Sequence, residues 1–207
     1  IKGEIKPKRR LRKMAPRLIL ASNSIRRYDL LGQVGIVPDI VDPSNVDETN
    51  YDQSLPPHQI ALMLARKKAH SISENEQYKN AYILAADTVV AIGRKIIEKT
   101  EDIEKAREIL NLLSGRNHRV FTAVCVRDQK GIFYNRNVET RVKFKTLSES
   151  EIYYYLNTDE WRGKAGAYAI QGFAGGFVVK LIGSYTSVVG LPLYETLNLL
   201  NGIGFNE

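Results

Sequence analysis

Ala81-Tyr82-Ile83-Leu84-Ala85-Ala86-Asp87-Thr88-Val89-Val90-Ala91-Ile92 is an apolar run interrupted by one carboxylate and one hydroxyl. The run predicts a buried strand over Ala81–Ala86 that Thr88–Ile92 extends. A carboxylate inside such a run is costly unless it is paired, hydrogen-bonded or bound to a metal. Asp87, placed at a strand end, is a natural general base or Mg²⁺ ligand. The alternative is an aspartate satisfied by turn amides.

Working outward from this strand, elements of two kinds alternate. Upstream, Arg17–Ala21 reads as a short buried strand. Ser22-Asn23-Ser24 supplies cap chemistry, and Ile25–Val34 reads as a helix. Asp39–Val41 is a short strand, and a polar loop leads through Pro56-Pro57 to a helix over His58–Ser71, with Ile60, Met63 and Leu64 on one face. Downstream, Ile103, Ala106, Ile109, Leu110 and Leu113 recur at helical spacing within Glu101–Leu113, which Ser114-Gly115 ends. The second half is richer in strands, His118–Arg127, Val138–Lys145 and Phe177–Ile182. In Val138–Lys145, Val138, Thr140, Val142 and Phe144 alternate with charged residues, the pattern of a strand wet on one face. Ser148–Leu156 begins as a capped helix, Gly163 to Gly176 is glycine-rich, and Leu191–Leu200 is a final helix. The order is not a strict strand–helix–strand rhythm, so the expected architecture is a mixed α/β sheet with flanking helices.

Composition sets the outer bounds. The chain has 207 residues, 43% apolar and 26% charged, which fits one globular domain with a sizeable core. No apolar run approaches the ~20 residues of a membrane helix. Cys125 is the single cysteine, so no intramolecular disulfide can form, and a reducing, cytoplasmic setting is expected. The formal charge is +7, but it is unevenly spread. Residues 1–13 hold seven of the 30 basic residues and one of the 23 acids, leaving 23 against 22 in the other 194. The body is therefore nearly neutral, which argues against nucleic acid as a partner of the whole chain. Residues 1–13 read as a basic arm upstream of Met14, and residues 14–207 as a single domain.

Several chemistries are excluded by motif. There is no Gly-x-x-x-x-Gly-Lys-Ser/Thr loop, no His-Glu-x-x-His and no Gly-x-Ser-x-Gly elbow. His58, His70 and His118 lack zinc-ligand spacing. What remains suits a phosphorylated ligand. Ser22-Asn23-Ser24-Ile25-Arg26-Arg27 lies where a strand hands over to a helix, whose first N–H groups and positive dipole end favour anions. Guanidinium forks match phosphate oxygens in pairs. The alternative is a plain cap with solvated arginines. Lys67 and Lys68 lie near one end of a helix whose spacing does not choose between them. Asp47-Glu48 and Glu98-Lys99 are scattered charges. Gln171, in the glycine-rich stretch, carries both a donor and an acceptor suited to a base edge.

Leu20-Ala21-Ser22-Asn23-Ser24-Ile25-Arg26-Arg27, Ala86-Asp87-Thr88-Val89-Val90, Ser114-Gly115-Arg116-Asn117-His118, Lys164-Ala165-Gly166-Ala167-Tyr168-Ala169-Ile170-Gln171-Gly172 and Val189-Gly190-Leu191-Pro192 follow one another in order. With these stretches the chain resembles the Maf family of nucleoside triphosphate pyrophosphatases, from about Leu18 to Leu200. The resemblance implies hydrolysis of a nucleoside triphosphate between the α- and β-phosphates. It implies a fold like that of the inosine-triphosphate pyrophosphatases, with the substrate in a cleft between two lobes. It also implies a divalent metal, Mg²⁺ or Mn²⁺, and a homodimer. Carried over by motif, Asp87 would be the general base, and Ser22, Arg26, Arg27, Lys68 and Lys99 would bind phosphate. Glu48 and Asp87 would hold the metal. Arg26, Thr88 and Gln171 match the positions that set a preference for dTTP and UTP. The chain departs from the family at Ile25, Thr100 and Gly163, where Pro, Pro and Asp are usual. The competing expectations are a nucleotide- or nucleic-acid-binding regulator of cell division and a pyrophosphatase for other non-standard nucleotides.

Overall fold

A computed structural model describes residues 17–205. The basic arm over residues 1–13 lies outside them. The elements run β1 (Leu18–Leu20), α1 (Ile25–Gln33), β2 (Ile40–Val41), α2 (Pro57–Ser73), β3 (Tyr82–Ile92), β4 (Lys95–Ile97) and α3 (Ile103–Leu113). They continue with β5 (Asn117–Arg127), β6 (Phe133–Phe144), α4 (Glu149–Leu156), β7 (Val178–Ile182), α5 (Tyr185–Val189) and α6 (Leu193–Gly202). One seven-stranded sheet has the order β2-β1-β3-β5-β6-β7, with β4 added to β3. β1 runs parallel to both β2 and β3, and the other pairs are antiparallel. The sheet is mixed, as the alternation of elements predicts.

β3 is the axis of the molecule. Its side chains alternate in strand register, so Tyr82, Leu84, Ala86 and Val90 join one apolar cluster, and Ile83, Ala85, Val89 and Ala91 join the other. On the second face Ile60, Ala61, Leu64, Ala65 and Ala69 of α2 cover the sheet. On the first face lie Leu30 and Leu31 of α1, Leu110 and Leu113 of α3, Ile152 and Tyr155 of α4, and Leu199 of α6. Being dry on both sides, β3 can carry an unbroken apolar run.

Local chemistry explains where the helices start. The Asp102 carboxylate accepts from the N–H groups of Glu104 and Lys105 at the head of α3. Ser148 and Glu151 close a reciprocal capping box on α4. α1 differs. Ser24 occupies its N-cap position but makes no side-chain cap bond, and the Ser22 hydroxyl oxygen accepts the Ser24 N–H and the Arg27 guanidinium. The Gly163–Gly176 stretch forms short 3₁₀ turns, not a bare loop. A Cβ on Gly172 would meet the Glu160 carboxylate at 2.0 Å, while Glu160 Oε2 accepts the Phe173 N–H at 2.8 Å. The glycine there admits a neighbouring side chain of the same protein.

Three features differ from the sequence reading. β4 and α5 are additional, both being too short to show a period. β6 begins at Phe133, five residues before the expected Val138. Asp87 stands in the middle of the eleven-residue β3, not at its end. The reason lies in the neighbours. β5 occupies one edge of β3 over Ile83–Ala91. On the other edge β1 pairs with Tyr82–Leu84 and β4 with Val90–Ile92. Among the described residues no strand pairs with 85–89 on that edge. The strand continues, but one side of it is laid open at Asp87.

Candidate active site

The opening in the sheet edge is where the polar residues gather. A cleft of about 390 Å³ is lined by Ser22, Ser24, Arg26 and Arg27 from the β1–α1 turn, Glu48 from the following loop and Lys68 from α2. Thr88, Lys99, Lys164, Tyr168 and Gln171 complete it. A smaller hollow of about 150 Å³ adjoins it, lined by Asp87, Tyr51 and Glu98, and shares Glu48, Thr88, Lys99 and Ala165 with the cleft. Asp87 and Thr88 are consecutive in an extended strand, so they face opposite sides of the sheet. The two hollows meet around the open edge between them.

Asp87 is buried, at 2% exposure. Its Oδ1 accepts from Lys68 Nζ at 2.5 Å. The same ammonium lies 2.5 Å from Glu48 Oε1, and the other Glu48 oxygen accepts from Lys99. Four charged groups thus form a chain, Asp87–Lys68–Glu48–Lys99, that leads from the buried interior to the surface. Burial would raise the Glu48 pKa, but the Lys68 and Lys99 ammoniums override it and hold the carboxyl at about 2. The Lys68 ammonium offsets the cost of burying the Asp87 carboxylate, a cost that hydrogen-bonded pairing can offset and isolation cannot.

Lys68 is the buried lysine of the adjacent pair. It is 5% exposed, whereas Lys67 is exposed and reaches the Asn50 carbonyl at 3.4 Å. Asp47 and Glu48 divide in the same way. Asp47 is turned outward, accepting from the Thr49 N–H and hydroxyl, and Glu48 points into the cleft.

At the other wall, Arg27 is buried. Its Nε donates to the Gly190 carbonyl at 2.8 Å and its Nη1 to Ser22 Oγ at 2.9 Å. Arg26 Nε donates to the Val189 carbonyl at 3.2 Å. Both guanidiniums are therefore aimed by backbone carbonyls at the end of α5. Desolvation lowers both arginine pKa values, most directly opposed for Arg27 by Asp87 and Glu48. They stay charged at any ordinary pH. Ser24 Oγ, buried, has no hydrogen-bond partner among the described residues. The β1–α1 turn presents a helix N-terminus, two hydroxyls and two oriented forks, groups whose chemistry suits anionic oxygens.

Every site residue expected from the sequence comes to this place. Ser22, Arg26, Arg27, Glu48, Lys68, Thr88, Lys99 and Gln171 line the cleft, and Asp87 lines the adjoining hollow. Lys164 and Tyr168 were not singled out by the sequence reading. Lys164 is the one charged residue between Gly163 and Gly176, which is the signal that marks it. Tyr168 is held from behind by His118, whose Nε2 lies 2.8 Å from the phenol oxygen. Cys125 is core, and burial pushes its thiol up to about 11.

A carboxylate pair bridged by lysine, beside arginines at a helix N-terminus, gives this α/β protein a cleft whose groups suit a polyanion and a proton acceptor next to it. The chain belongs to the family of Maf-like proteins, whose family model matches residues 17–203. A Rhodopseudomonas palustris protein described as dTTP/UTP pyrophosphatase is 56% identical over 194 residues, covering 92% of this chain and 93% of that one. A Maricaulis maris protein of the same description is 57% identical over 190 residues, covering 92% of this chain and 89% of that one. Among solved structures, the Staphylococcus aureus Ham1 protein is 13% identical with a TM-score of 0.41, covering 62% of this chain and 71% of that one.

Proposed function

We propose that this chain is a nucleoside triphosphate pyrophosphatase that hydrolyses dTTP and UTP, and modified pyrimidine nucleotides of like shape, to the monophosphate and pyrophosphate. The observation that carries the reading is the Asp87–Lys68–Glu48–Lys99 chain, which ends in a cleft walled by Arg26 and Arg27. Relatives more than half identical to it, matched over about nine tenths of their own length, are described as dTTP/UTP pyrophosphatase.

In this reading Ser22, Arg26, Arg27, Lys68 and Lys99 bind the triphosphate. Asp87 takes the proton of the water that attacks the α-phosphorus. The arginines and lysines stabilise charge as it moves onto the departing pyrophosphate. Arg26, Thr88 and Gln171 set the choice of base. Holding the reacting groups in line supplies a large part of the acceleration, and the carbonyl tethers of Arg26 and Arg27 serve that end.

A divalent cation, Mg²⁺ or Mn²⁺, belongs to the reading. Among the described residues no three His, Cys, Asp or Glu side chains group as a metal cluster. The donor set still fits a cation held with its substrate, because Glu48 and Asp87 lie close together on either side of the Lys68 ammonium and such ions commonly take one or two carboxylates plus phosphate oxygens and water. Glu48 and Asp87 would hold the ion, which supplies charge neutralisation on the triphosphate.

Cytoplasmic residence and a homodimer belong to the same proposal, and light scattering on the purified chain tests the dimer. Among the described residues no helix is long and apolar enough to cross a membrane. The deciding experiment is pyrophosphate release from a panel of triphosphates with Mg²⁺ or Mn²⁺. Release from dTTP and UTP by wild type, with a loss of roughly 10²–10⁴-fold in Asp87→Asn, is the expected result. Near-full activity in Asp87→Asn would remove the assigned base.

A further inference from the structure

Behind Thr88 runs a short relay of hydroxyls whose direction can be worked out. Thr88 Oγ1 lies 3.0 Å from Thr122 Oγ1, and Thr122 Oγ1 lies 2.7 Å from the Ser187 carbonyl oxygen. A carbonyl oxygen has no hydrogen to give, so Thr122 is the donor in the second contact. A hydroxyl has one hydrogen. Thr122 therefore accepts in the first contact, and Thr88 donates. Thr122 is fully buried, so water is not at hand to replace either partner. Thr88, half-buried at the cleft wall, has spent its hydrogen on the protein. Towards a ligand it offers lone pairs only.

We infer that the Ser187–Thr122 relay fixes Thr88 as an obligate acceptor, and that the substrate group it receives is the N3–H of a uracil or thymine ring. The inference rests on the pyrimidine reading above. Phosphate oxygens are acceptors, so facing Thr88 with them would set lone pairs against lone pairs. The donors that dTTP and UTP share are N3–H and the 3′-hydroxyl. Gln171 lines the same cleft and offers a donor and an acceptor for the neighbouring edge of a base. Cytosine presents an acceptor at N3, and the site would leave two acceptors face to face, which is where polar sites discriminate most strongly. Thr122 is thus a positioning residue for base choice and touches no substrate.

The test uses the full chain. Wild type is assayed for pyrophosphate release from UTP, CTP, 4-thiouridine triphosphate, which keeps N3–H, and the triphosphate of the 4-unsubstituted pyrimidin-2-one riboside, whose N3 is an acceptor. All four carry the same 3′-hydroxyl. The expected order is UTP and the 4-thio analogue together, with CTP and the pyrimidin-2-one lower by about tenfold or more in kcat/KM. In Thr122→Val the Thr88 hydroxyl is released to rotate, and the UTP-to-CTP ratio should fall by about tenfold, while Thr122→Ser restores it. If the pyrimidin-2-one is cleaved as well as UTP, the 3′-hydroxyl is the better partner and the inference is overturned. If Thr122→Val lowers UTP and CTP turnover equally, Thr122 is merely structural and the inference is likewise overturned. The wild-type series needs no variant to fold. No release from UTP or dTTP by wild type would overturn the pyrimidine reading itself, and this inference with it.

Discussion

Replacing Lys68 by methionine keeps the length of the side chain and removes its charge. In the native protein that ammonium lies 2.5 Å from both Asp87 and Glu48, and its side chain is 7% exposed beside an Asp87 side chain at 3%. Without it a buried carboxylate stands unpaired, with a second carboxylate close by. Breaking a buried pair in this way costs about 3–5 kcal/mol. For a chain of this size each kcal/mol moves Tm by about 2–4 °C, so a fall of about 10 °C is expected at pH 7. Circular dichroism melting measures it. The double variant Lys68→Met with Asp87→Asn removes the orphaned charge along with its partner, and should melt above the temperature that adding the two single losses would give. A fall of less than about 2 °C in Lys68→Met, or strict additivity in the double variant, would refute the claim that Lys68 compensates a buried charge.

Other expectations follow from the same geometry. Glu48 has a folded-state pKa of about 2 against an ordinary 4.5, so its stabilising contribution is full above the unfolded value and is lost as pH falls from 4.5 towards 2. Glu48→Gln should therefore lower Tm by a constant amount from pH 5 to pH 8 and flatten the acid limb, so that the two curves converge as pH falls from 4.5 towards 2, which an acid melting series would check; an unchanged acid limb would count against the pairing. Arg27→Lys keeps the charge but cannot hold the Gly190 carbonyl and Ser22 Oγ with one planar fork, and KM for UTP should rise about tenfold in steady-state assays. Leu110 is fully buried on α3 against the sheet, and Leu110→Ala should lower stability by about 2–5 kcal/mol in urea unfolding without changing KM.

Much of this was legible in the sequence, for reasons that differ by element. α3 announces itself because five apolar residues fall at helical spacing, although its start at Ile103, behind the Asp102 cap, lies two residues later than the pattern indicates. α4 does so because Ser148 and Glu151 stand three apart. Asp87 was legible because a carboxylate in an apolar run demands a partner. Which partner was not, since Lys67 and Lys68 look alike until the rotation of α2 buries one of them. Its position in the strand was misjudged because a sequence does not say that β1 stops at Leu20 and β4 starts only at Lys95. The relay behind Thr88 was beyond reach. It joins residues 34 and then 65 positions apart, and none of its members is unusual where it stands.

The open edge of β3 also bears on how such a protein can be altered. Asp87 and Thr88 are neighbours on one rigid rod, yet their side chains belong to opposite faces with separate supporting residues. On the reading proposed above, a substitution at Thr88 or Thr122 would retune recognition while the charge chain on the other face is left as it was. Insertion or deletion of a single residue upstream within β3 would do the reverse, exchanging the faces of the two side chains and disabling both functions at once. Variation by point replacement is therefore open here, and variation in length is closed.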